Sequence, residues 1–120
     1  MLGKILLLEN DIDMESIVTI ILNDEGFMVR HTNFKSILVD VVGFKPDLVI
    51  LSPRLRSHAE ISKLCKELRS ARSVLLLPII FLSARLDLEL FTQQCDATAY
   101  IEKPFEVNDF CNTVKDILSL

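Results

Sequence analysis

Charged and hydroxyl side chains stand directly after short apolar runs at four points of the chain. Glu9-Asn10-Asp11 follows Ile5–Leu8, Ser52 follows Leu48–Leu51, Ser83 follows Ile79–Leu82, and Lys103-Pro104-Phe105 follows Ala99–Ile101. Gathered in one place, these groups support a narrow chemistry. Glu9 and Asp11 carry hard oxygen donors of the kind that collects a divalent cation. Ser52 is a poor nucleophile, since a serine hydroxyl needs an adjacent base and none is suggested near it. Arg54, Arg56 and Arg85, with Lys103, are the groups that would hold a phosphate or a partner's carboxylate. A plainer reading stands beside each of these. Asp11 or Asp13 caps the following helix, the arginines are solvated, and Glu9 pairs with Lys103. The plainer reading is favoured, because a partly buried lysine without a counter-charge is costly.

The elements that would bring these residues together are legible in the apolar pattern. Five short runs, Ile5–Leu8, Phe27–Val29, Leu48–Leu51, Ile79–Leu82 and Ala99–Ile101, alternate with helical spacings. Three of the runs are continuous, not alternating, which marks strands covered on both faces of a parallel sheet. Helical spacing appears in Met14, Ile17, Val18, Ile21 and Leu22, then in Phe34, Ile37, Leu38 and Val41. It recurs in Ile61, Leu64, Cys65 and Leu68, and in Val107, Phe110, Cys111, Val114 and Leu118. The segment Asp87–Gln94 is the least periodic. Gly26 is expected to close the first helix, and Gly43 with Pro46 the second. The result is an α/β chain, a (βα)5 doubly wound five-stranded parallel sheet with helices on both faces. Ligands in such sheets sit at the carboxyl ends of the strands, where all four polar clusters fall.

In order and spacing, the runs KILLLEND, PDLVIL before Ser52, PIIFLSA and ATAYIEKPF resemble the response-regulator receiver domain, a flavodoxin-like fold. The resemblance spans essentially all of residues 1–120, read as one receiver-like domain. It implies an aspartate after the third strand that accepts a phosphoryl group, an acidic pair after the first strand that holds Mg²⁺, and a hydroxyl and a lysine that contact the phosphoryl oxygens. Ser83, Lys103 and Pro104 match their positions, Tyr100 matches the switch aromatic that works with Ser83, and Glu9 matches the first acidic position. Asn10 stands in place of the principal metal-binding aspartate, and an amide oxygen is a weak ligand for Mg²⁺. Ser52 stands in place of the phosphoacceptor. Arg56 replaces a usual proline and Glu60 a usual glycine. The expectation is therefore a degenerate pocket of Glu9, Asn10, Asp11, Ser52, Ser83 and Lys103, with no catalytic residue. No cofactor is expected, and Mg²⁺ is absent or weakly held by Glu9 and Asp11. The resemblance further implies a protein partner, an output domain or a homodimer bound through Asp87–Gln94, Ala99–Ile101 and Val107–Leu118.

Composition sets the remaining bounds. The 120 residues carry 13 Lys+Arg against 17 Asp+Glu, a net charge of −4, which argues against direct nucleic-acid binding. The longest apolar run, Val74 to Leu82, is too short to span a membrane and contains Pro78. No signal peptide is visible, and Cys65, Cys95 and Cys111 read as small core residues in a reducing cytoplasm, that of a bacterial two-component system. His31 and His58 are expected at the surface or in loops. Three readings follow: a pseudo-receiver that acts by protein contact, a small-molecule- or anion-sensing relative, and an unusual receiver that still accepts phosphate. A flavodoxin-like cofactor enzyme is disfavoured, because the chain has only three glycines and no glycine-rich phosphate loop.

Overall fold

Parallel pairing of five aliphatic runs builds the centre of the molecule. The computed structural model describes residues 1–53, 56–71 and 76–120. In chain order the elements are β1 (Gly3–Leu8), α1 (Ile12–Asp24), β2 (Phe27–His31), α2 (Ile37–Phe44), β3 (Leu48–Leu51), α3 (His58–Arg69), β4 (Ile79–Ser83), α4 (Leu88–Gln94), β5 (Ala99–Glu102) and α5 (Val107–Ile117). The sheet order is β2-β1-β3-β4-β5, and every neighbouring pair is parallel. This is the doubly wound α/β architecture that the alternation predicts.

The continuous runs are continuous because both faces of the sheet are covered. Leu6, Leu8, Val49, Leu51, Ile79 and Phe81 face α2, α3 and α4 in one core. Ile5, Leu7, Leu48, Ile50, Ile80 and Leu82 face α1 and α5 in the other. Burying each such aliphatic side chain stabilises the fold by about 1.5–3 kcal/mol. The cysteines behave as small core residues, all three free and buried. Burial pushes the Cys65 thiol up to about 12, so it stays neutral and unreactive near pH 7.

Several local expectations are corrected. The apolar arc of α1 is wider than the arc it buries: Val18 and Leu22 are covered while Ile17 and Ile20 remain exposed. Leu38 and Val107 are exposed in the same way, and Phe34 precedes α2 instead of lying on it. Gly43 does not end α2 but lies within it. The left-handed turn is taken by Lys45 (φ 54°), followed at once by Pro46, which cannot continue the helix. Gly26 does stop α1, with φ 101° just beyond the helix, a conformation that costs glycine little. Val74, at the head of the longest apolar run, and Arg54 lie outside the described residues.

Candidate functional site

The chain leaves β1 toward β2 on one side and later crosses to β3 on the other, so the order reverses between β1 and β3. The carboxyl ends of these strands, with those of β4 and β5, form the floor of a cavity of about 390 Å³. It is lined by Asp11, Ser52, Pro53, Ser83, Ala84, Arg85 and Lys103. Ser52 is carried there because β3 pairs past its own end, with Ser52 N donating to Leu8 O at 2.8 Å. Lys103 is fixed in the same manner, its N donating to Ser83 O at 2.9 Å. The Lys103-Pro104 peptide is cis.

The central contact is between charges. Lys103 Nζ lies 2.7 Å from Glu9 Oε2, with the lysine side chain 18% exposed and the glutamate 1%. This is the pair expected from the cost of an unmatched lysine. Among the described residues Oε2 has no other donor, so Lys103 alone meets that oxygen. The other oxygen, Oε1, accepts from Asp11 N at 3.0 Å. Glu9 is thus held at both ends, by the turn that starts α1 and by the strand end of β5.

The acidic pair fails as a metal site on its own geometry. Asp11 is the N-cap of α1, and its Oδ1 accepts from Asp13 N and Met14 N at 3.0 and 3.1 Å. Glu9 Oε2 faces the Lys103 ammonium. Asn10 is exposed and does not line the cavity. Among the described residues no group of three or more His, Cys, Asp or Glu is arranged to hold a metal. The Mg²⁺ that the resemblance implies does not fit this residue set.

The serines and arginines divide between the cavity and contacts within the fold. Ser83 Oγ accepts from Arg85 N at 3.2 Å. Arg85 lines the cavity beside Lys103, but its guanidinium is already forked onto Asp87 at 2.8 and 3.0 Å and stacked on Phe91. The same contact, chiefly its hydrogen bonds, holds the Asp87 carboxyl below its usual range. Arg56 does not reach the cavity. It stacks on Phe34, 4.3 Å from the ring centroid, and approaches Glu60 at 3.5 Å. Glu60 itself has a local purpose: Ser57 Oγ accepts from Glu60 N, and the hydroxyl donates back to the Glu60 carboxylate, closing the start of α3. Sequence reading missed this Ser57–Glu60 motif, although serine three residues before glutamate is its ordinary signature. It also missed Glu106, which caps α5 through Asn108 N and Asp109 N.

Tyr100 is half-buried on β5 opposite Phe81 and packs against the α2–α4 core. His31 is exposed, with Thr19 and Glu15 as partners, and His58 opens α3 with its ring against Phe91.

No protein-family model and no curated protein matches the sequence. Solved structures do. NtrX from Brucella abortus is 25% identical at a TM-score of 0.80, over 98% of this chain and 27% of that one. The chain therefore spans about a quarter of NtrX. A putative response regulator from Chloroflexus aurantiacus is 20% identical at a TM-score of 0.80, over 98% of both chains. The chemotaxis protein CheY4 of Vibrio cholerae is 18% identical at a TM-score of 0.76, over 96% of this chain and 98% of that one.

Proposed function

We propose that this chain, a receiver domain of the response-regulator kind, transmits signals by protein contact without being phosphorylated. The observation that carries this reading is the Lys103–Glu9 ion pair at 2.7 Å, in a pocket where Ser52 offers no carboxylate. A phosphoryl group moving to a receiver develops negative charge that Mg²⁺ and the lysine must neutralise. Here the lysine is matched to Glu9, the cap of α1 occupies Asp11, and Ser52 stands at the end of β3 in place of an acceptor carboxylate. Neither the nucleophile nor its electrostatic support is assembled, so the domain is read as non-enzymatic.

On this reading residues 1–120 form one domain that serves a partner, an output domain or a second copy in a bacterial cytoplasm. The face of Asp87–Gln94, Ala99–Ile101 and Val107–Leu118 is its contact surface. Leu90 and Val107, at 55% and 49% exposure, give that face an apolar component, and Leu86, 107% exposed, immediately precedes it. No helix among the described residues is long and apolar enough to cross a membrane.

A second reading rests on the cavity, which two cations line. An anion there would have to compete with Glu9 for Lys103 and with Asp87 for Arg85, which makes it the weaker account. Incubation with acetyl phosphate and Mg²⁺ tests the first reading. The proposal predicts no phosphoryl adduct and no change around Tyr100. A saturable thermal shift with phosphate alone would favour the anion-sensing account instead.

A further inference from the structure

A cavity beside β5 combines an open strand edge with charge of one sign. Among the described residues β5 ends the sheet and pairs only with β4. A cavity of about 300 Å³ touches Tyr100, Ile101 and Glu102 in succession, and Phe105, Glu106 and Asp109 around the start of α5. Successive side chains of a strand point to opposite faces, so a cavity that meets three in a row runs along the edge. Thr98 N donates inward to Ile79 O at 2.9 Å, and the two-residue period then turns the main-chain groups of Ala99 and Ile101 outward. Such an edge is a template for a further strand.

The carboxylates here are not matched within the fold. Between Leu86 and Val114 the chain carries Asp87, Glu89, Asp96, Glu102, Glu106 and Asp109 against one cation, Lys103. Lys103 is committed to Glu9, Asp87 to Arg85 and Asp96 to Arg69. Lys115, the next cation along the chain, is held by Glu25 at the end of α1. Glu102 and Asp109 are exposed, and among the described residues neither carboxylate has a hydrogen bond or an ion pair. Glu106 is held by the two backbone N–H groups it caps, so its charge is fixed in place. Tyr100, Phe105 and Phe110, the last two with ring centroids 4.8 Å apart, give the cavity aromatic surface. Aromatic rings beside carboxylates are a setting that holds a guanidinium.

We propose that the β5 edge takes a basic extended segment of a partner protein, whose main chain adds a strand to β5 and whose arginine or lysine side chains meet Glu102 and Asp109. The inference rests on the reading of α4–β5–α5 as the contact surface and narrows what binds there. A second copy is disfavoured: a two-fold pairing through this edge sets Glu102, Glu106 and Asp109 against the same carboxylates, with no free cation between them. A nucleic acid or an anionic membrane meets the same repulsion. A divalent cation lacks its ligands, since among the described residues no three His, Cys, Asp or Glu are arranged to hold one.

The probe is a synthetic peptide of roughly seven residues that alternates arginine with valine. A peptide with glutamate for arginine is the charge control. Two more carry main-chain N-methyl groups, one on every valine and the other on every arginine. The expected result is saturable binding at about 0.15 M salt, with amide shifts centred on residues 99–113. A strand bonds one neighbour through alternate residues, so one methylated peptide should bind like the parent peptide and the other at least about tenfold more weakly. Glu102→Lys with Asp109→Lys should weaken binding at least about tenfold, with unchanged dispersion of the other amide signals, and should make the glutamate peptide the better binder. No binding by roughly 1 mM peptide, equal binding of the two methylated peptides, or indifference to the lysine substitutions would each overturn the proposal. Self-association of the parent protein, lost in the lysine variant, would overturn it too while leaving the contact-surface reading in place. A phosphoryl adduct on the parent protein, with peptide binding intact, would overturn the proposed function and support this inference.

Discussion

Replacing Lys103 with methionine removes the charge opposite Glu9 while keeping most of the side chain's bulk. At 2.7 Å the gross attraction is about 6 kcal/mol for an effective dielectric of about 20. Desolvation of both groups consumes much of that, so the pair itself contributes far less. The variant, however, leaves a carboxylate that is 1% exposed with an oxygen that has no other donor among the described residues. Stranding one member of a buried pair typically costs about 3–5 kcal/mol, and the partial exposure of Lys103 places this case near 3. For 120 residues that corresponds to a fall in Tm of about 12 °C. Glu9→Gln combined with Lys103→Met leaves no buried charge, and should be more stable than Lys103→Met alone. Urea unfolding of the four proteins of this double-mutant cycle gives the coupling directly, with at least about 2 kcal/mol expected. A Lys103→Met variant within about 0.5 kcal/mol of the parent, or a cycle that is simply additive, would refute the claim that the pocket is held by its own cation.

Two further outcomes follow from the structure. Burial raises the Cys65 thiol to about 12 from an ordinary 9.0, and it also raises Cys95 and Cys111. The folded state then holds these protons more tightly than the unfolded chain, so their stabilisation is complete below pH 9 and is lost as pH rises toward 12. The urea midpoint should fall above pH 9, and less steeply in Cys65→Val; equal slopes would contradict the assignment. Leu86→Asp with Leu90→Asp should leave the fold within about 0.5 kcal/mol of the parent, because both side chains are exposed. Sedimentation of the full-length protein should show weakened assembly if the α4–β5–α5 face is used, and unchanged assembly would count against that use.

What was legible in the sequence had a local or purely energetic cause. The runs around Ile5–Leu8 and Leu48–Leu51 announce covered strands by composition alone, and the pairing of Lys103 with Glu9 follows from the cost of leaving a lysine unmatched. A cap at Asp11 or Asp13 was readable from their place before the first helical spacing, and Asp11 takes it. The misses have tertiary causes. Periodicity marks which residues of α1 are apolar, but the width of the surface that covers them decides that Ile17 stays exposed. The fork of Arg85 onto Asp87 and its stacking on Phe91 depend on the path of the β4–α4 loop. That Lys45, and not Gly43, takes the left-handed turn depends on where Pro46 must enter the sheet connection. Glu106 went unread because glutamate is an uncommon cap.

The central claim is that the pocket neither accepts nor supports a phosphoryl group. Intact mass after incubation with acetyl phosphate and Mg²⁺ tests it most directly, with an Asn10→Asp, Ser52→Asp variant beside the parent. The account predicts no adduct on the parent and, because the restored carboxylates supply both acceptor and metal ligand, a phosphoryl adduct on the double variant. A stoichiometric, Mg²⁺-dependent adduct on the parent protein, mapped to Ser52 or to any other pocket residue, would contradict it.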